Sequence, residues 1–159
     1  MKHIGACLDG IQIALNRIPK SVESPEDKVK AFKIMDEIEA YLITLQQLTL
    51  NPALKEYLHR LEQEPIDGMR LQAHQVEELL KDLEHMLEVI DLYLQNTRKI
   101  IQDDPAQWSI RADKLTQAID QKFGGEIGEL RREFKIVLYK EEELRRLVVN
   151  ERHLAEFLA

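Results

Sequence analysis

Cysteine is almost absent from this chain of 159 residues: Cys7 stands alone, so no internal disulfide can form and no paired-cysteine zinc motif exists. The expected compartment is therefore a reducing one, the cytoplasm. Long apolar runs are missing too. The stretch from Ile4 to Leu8 meets Asp9 before it reaches the length of a signal-peptide core, and nothing approaches the roughly 20 apolar residues of a membrane span. Positive charge is in deficit, with 22 Lys+Arg against 29 Asp+Glu and a formal net charge of −7, the signs interleaved. Such a surface grips neither nucleic acid nor an anionic membrane non-specifically. Aromatic residues make up only 6% of the chain.

Proline is scarce, and most of it stands where helices start. Three of the five prolines follow a capping residue, in Ser24-Pro25, Asn51-Pro52 and Asp104-Pro105. Each pair reads as an N-cap with proline in the first helical position, where its missing N–H costs nothing. Glu26 and Asp27 then place acids in the first turn, beside the positive end of the helix dipole.

Between these marks apolar residues recur at intervals of three and four and never alternate over a strand length. Ala31, Ile34, Met35, Ile38, Tyr41, Leu42, Leu45 and Leu48 make one stripe. Leu54, Tyr57, Leu58 and Leu61 make a second, and the segment 68–102 carries a third from Val76 to Ile101. Trp108, Ala112, Leu115, Ile119 and Phe123 line up before Gly124-Gly125. A first helix is expected over about 4–17, and the segment 18–24, with Pro19 and Ser21, is the candidate mobile connection. The pattern predicts a single all-α domain over 1–159, an elongated antiparallel bundle of about five to six helices, with long helices near 25–50, 68–102 and 126–158. Segments 25–64, 68–102 and 126–158 each match a length of roughly 50 Å, leaving two short helices to cover the remaining seams.

Motifs with chemical potential are few. In AHQVEELLKDLEHMLEVI (73–90), His74 and His85 share an azimuth opposite the apolar stripe but lie about 16 Å apart, too far to share an ion. His74 with Glu78, or Asp82 with His85 and Glu88, offers two or three ligands without an obvious supporting shell. Glu56-x-x-His59 has the spacing of a di-iron bundle ligand pair, but occurs once and faces away from Leu54, Leu58 and Leu61. A solvated face laced with pairs such as Glu77–Lys81 is the expectation, with no metal and no cofactor. None of His59, His74 or His85 is followed by the lysine and glycine of a histidine phosphotransfer domain. Gly125-Glu126-Ile127-Gly128 spells GxxG, yet it lacks flanking strands and basic residues, so helix punctuation is the expected role. Cys7 is expected to be buried and structural.

The last helix changes face. Ile127, Leu130, Phe134, Val137 and Leu138 form one stripe, whereas Leu144, Leu147, Val148, Leu154, Phe157 and Leu158 centre roughly 120–180° away. This displaced stripe either folds over its own bundle or docks another surface, and Leu147, Val148, Leu154, Phe157 and Leu158 are the candidate partner-binding residues. The expected function is a non-catalytic protein–protein interaction module: an adaptor, a chaperone-like or regulatory factor, or an assembly subunit, binding another protein or itself through the C-terminal helix.

One enzymatic alternative is carried by the same helix. Arg146 and His153, with Asn150 between them, project from nearly one azimuth, and this spacing resembles the arginine-to-histidine pattern of HEPN-type ribonucleases. The resemblance implies a helical dimer in which histidine moves the 2′-hydroxyl proton and arginine stabilises phosphorane charge. Leu147 departs from the polar residue usual after that arginine, and Glu142 is a simpler partner for Arg146. Arg131, Arg132 and Lys135 form a small basic cluster, offset by Glu129 and Glu133.

Overall fold

In a computed structural model of the chain, which describes residues 4–65 and 67–137, the architecture is all-helical, with no strand among the described residues. Five helices follow one another: α1 (Ile4–Arg17), α2 (Pro25–Thr49), α3 (Pro52–Glu62), α4 (Asp67–Asp103) and α5 (Pro105–Gly124). Residues 126–137 are helical as well. The predicted helix at 25–50 and that at 68–102 are both present; the part of the third beyond residue 137 lies outside the described residues.

Every proline-marked start is a working cap. Ser24 Oγ accepts from the Asp27 amide at 3.2 Å, and the Asp27 carboxylate accepts in return from the amides of Ser24 and Glu23, closing a capping box. These bonds favour the ionised form and lower the Asp27 pKa, so the cap contributes fully above the ordinary aspartate range and fades as pH falls from that range through the lowered value. Asn51 accepts from Ala53 and Leu54, and Asp104 from Gln107.

Neighbouring helices run antiparallel. α1 packs on α2 and α5, while α4 packs on α2, α3 and α5. α2 and α3 form one broken column along α4, as the restart at Pro52 suggests. The last column is built differently from expectation. Residues 105–124 do not cover a seam; they continue into 126–137 as one bent column of 33 residues, roughly 50 Å long. The seam is covered by α1 alone, whose 14 residues span less than half of α4's 37.

The bend sits at the two glycines that punctuate it. Gly125 caps α5 with φ −103°, and its amide donates to Gln121 O at 2.9 Å. Gly128 then lies so close to the preceding turn that a Cβ there would come within 2.6 Å of the Phe123 carbonyl oxygen. Ile127, Leu130, Phe134 and Val137 are thereby turned inward and are all buried.

The core is one continuous apolar cluster from Ile4 to Val137. Its axis is α4, which contributes Val76, Leu79, Leu80, Leu83, Leu87, Ile90, Leu94 and Ile101. Tyr41 departs from its predicted place in the α2 stripe: it is 38% exposed, because its ring lies over Gly10 of α1, where a Cβ would meet Tyr41 Cζ at 2.6 Å. The segment 18–24 is packed rather than free. Ile18 and Val22 are buried, Trp108 Nε1 donates to Pro19 O at 2.8 Å, and the Val22 amide donates to Ser109 Oγ at 3.4 Å. Arg98 of α4 reaches Asp36 and Glu39 of α2 at 3.2 and 3.4 Å and lies over the Phe32 ring.

Two substitutions test the bend. A Cβ added at Gly124 would meet nothing within 4 Å, so Gly124→Ala is expected to stabilise by up to about 1 kcal/mol, the ordinary helix-propensity gain. Gly128→Ala is expected to destabilise despite the same propensity gain, because the methyl collides with backbone; thermal unfolding followed by circular dichroism reads both. Ser24→Ala should cost about 1 kcal/mol at neutral pH, with a smaller deficit once Asp27 is protonated.

Candidate functional site

The residues with chemical potential converge where α3 meets α4. α3 is short, and its single fully buried side chain is Leu58, which shares a groove of about 350 Å³ with Thr49 of α2 and Leu80 of α4. Antiparallel packing carries the C-terminal end of α3 to the second and third turns of α4. Glu62, His74 and Glu77 come together there, with one potential ligand atom from each lying within 4.8 Å of the others. Glu62 and Glu77 are half-buried, and His74 is exposed.

Two carboxylates share this junction. Glu77 has its pKa raised, first by burial and then by a hydrogen bond and charge contact with Glu62, while Lys81 and His74 pull weakly the other way. Around the pair, His59 Nδ1 stands 3.8 Å from Glu62 Oε2, and Glu78 Oε1 stands 3.3 Å from His74 Nε2. Among the described residues no lysine or arginine forms an ion pair with Glu62 or Glu77.

The other predicted features separate cleanly. His74 and His85 both face solvent, as the wheel indicates. Glu56 pairs with Arg60 at 3.4 Å rather than acting with His59. Glu77, expected on the wet side with Lys81, is drawn instead into the α3–α4 junction. Arg131 of the small basic cluster is taken by Asp9 at 2.7 Å, leaving Arg132 and Lys135 exposed beside Glu129 and Glu133. Cys7 is buried, and burial pushes its thiol pKa up, which suits a structural role rather than a nucleophile. The candidate partner-binding residues Leu147, Val148, Leu154, Phe157 and Leu158 lie outside the described residues, as do Arg146, Asn150 and His153.

A second groove, of about 320 Å³, runs between α4 and residues 126–137. Glu78, Asp82 and Glu133 line it with Leu79, Ile136 and Val137. Gln72 Nε2 of α4 donates to the Val137 carbonyl at 2.7 Å.

The junction of Glu62, His74 and Glu77 was missed at the level of sequence because it joins two helices. One signal for it is present: His59-x-x-Glu62 and His74-x-x-Glu77 repeat the same spacing on consecutive helices. Comparison with known proteins returns no matching family model, no matching curated protein and no matching solved structure. Among the described residues, no helix is long and apolar enough to cross a membrane.

Glu77 carries a pH prediction. A carboxyl whose folded pKa is raised binds its proton more tightly in the folded state, so its contribution to stability declines as pH rises from the ordinary glutamate range through the raised value. In buffer stripped of divalent ions, Glu77→Gln is expected to raise the melting temperature at neutral pH. The gain should vanish below the ordinary glutamate range, which melts across a pH series will read.

Proposed function

We propose that this protein is a non-catalytic interaction module of the cytoplasm that binds another protein, or a second copy of itself, through the displaced apolar stripe of its C-terminal segment. The observation that carries the reading is Ile136. Ile127, Leu130, Phe134 and Val137 are buried in the core, yet Ile136, between the last two, is 54% exposed. At 100° per residue, Ile136 lies on the azimuth that Leu147, Leu154 and Leu158 occupy if the helical register continues, the steps 136, 147 and 158 being eleven residues each. An exposed isoleucine at the head of such a stripe supports a surface distinct from the one the bundle uses. Leu71, next to Gln72 and so level with Val137, is 61% exposed and adds apolar area at the same end.

Helix-in-groove or face-to-face docking is the physical mode that suits a rigid bundle with an apolar helical stripe. Truncation after Arg146 and the double substitution Ile136→Asp with Leu154→Asp test it. Each should lower the association state, measured by light scattering, or abolish copurification of a specific partner, while the melting temperature changes little. A truncated chain that melts far lower yet keeps its association state would sink the docking reading. RNA cleavage lost in Arg146→Ala and His153→Ala would replace it with the ribonuclease alternative.

A further inference from the structure

We propose that Glu62, His74 and Glu77 form a binding site for a divalent transition-metal ion of the zinc class, which staples α3 onto α4. The geometry is close to what such an ion requires. Zinc holds nitrogen and oxygen ligands at about 2.0–2.2 Å in tetrahedral geometry, so its ligand atoms stand roughly 3.3–3.6 Å from one another. The three ligand atoms here fall within 4.8 Å of one another, and side-chain rotations that draw them in by about an ångström complete the geometry.

The three side chains are also disposed as a chelate. His74 and Glu77 are three residues apart on α4, on one helical face, and Glu62 approaches from the facing helix, the way bundle proteins build metal sites. Each flank has a second group able to orient a ligand: Glu78 beside the His74 ring, and His59 beside Glu62. A single imidazole with two carboxylates selects a borderline cation over calcium or magnesium, which favour oxygen alone. Three protein ligands leave a further position for water or for a group from a partner.

Charge points the same way. Two carboxylates from facing helices and an imidazole come within 4.8 Å of one another, and among the described residues neither Glu62 nor Glu77 has a lysine or arginine ion pair. A divalent cation between them attracts a carboxylate on each helix and so draws the helices together. The effect falls on the element with the least apolar anchorage, since Leu58 alone of α3 is fully buried. Metal affinity therefore becomes stability of the α3–α4 pair.

The test uses the full chain, purified without an affinity tag and stripped with chelator, titrated with ZnCl2 alone. One equivalent should bind with a rise in melting temperature, and hydrogen exchange of amides in 52–62 should slow. His74→Ala and Glu77→Gln are each expected to weaken binding by about tenfold or more, while His85→Ala, on the same helix, leaves it unchanged. Binding should weaken as pH falls through the histidine range. Co2+ absorption in the visible provides a second readout that does not depend on melting, and melts of the stripped variants establish that they are folded. Absence of any Zn2+ response at a roughly hundredfold excess, or a response equal in wild type, His74→Ala and Glu77→Gln, overturns the proposal.

Discussion

The described fold depends on the width of the apolar face of α4. That face takes in Val76, Leu79, Leu83, Leu87, Ile90 and Leu94, too broad a strip for one partner helix to cover, so two columns, α2 with α3 and α5 with residues 126–137, converge on it. Burial of apolar area at roughly 25 cal/mol per Å² favours the convergence, and the antiparallel directions follow from the short connections. The polar contacts refine this arrangement. Arg98 reaching Asp36 and Glu39 sets the level of α2 against α4, and Asp9 with Arg131 sets α1 against the last column.

Where the covering columns are long, the core is closed; where they are short, chemistry collects. α1 ends the closed region, because its first residues, Ile4 and Cys7, are already level with Leu45 and Leu48 of α2, with which they share a small cavity. Beyond that level α4 is flanked by α3 and residues 126–137, and both grooves beside it are there. The carboxylates of Glu62 and Glu77 lie together at this end because α3 is positioned by Leu58, not by its charges. Apolar packing has determined a distance that electrostatics alone opposes.

Much of this was legible from sequence. Ser24-Pro25, Asn51-Pro52 and Asp104-Pro105 announced three helix starts because capping is local chemistry, and the stripes of α2 and α4 followed from period alone. Tyr41 was misplaced because its apolar character did not reveal the close approach of Gly10. The segment 18–24 was misjudged because its anchor, Trp108, lies 89 residues from Pro19. Gly124-Gly125 marks the end of α5 as its pattern indicates, but a local stop does not reveal that residues 126–137 continue along α4 in the same column. At the candidate site, the exposure of His74 was readable from the wheel. The meeting of Glu62 with Glu77 was not, since it depends on how far α3 slides along α4, a quantity set by the packing of Leu58.

The buried indole of Trp108, the chain's one tryptophan, sits where α5 begins, at the level of Asp103. Glu77 is 26 residues back along α4, so at about 1.5 Å per residue the two lie roughly 39 Å apart. The protein thus carries an intrinsic fluorophore at one pole and its clustered carboxylates at the other. Emission from Trp108 registers loosening of the 18–24 tether and is blind to release of α3, whereas circular dichroism registers both. Any divergence between the two signals measures how far the poles of this molecule act as separate cooperative units.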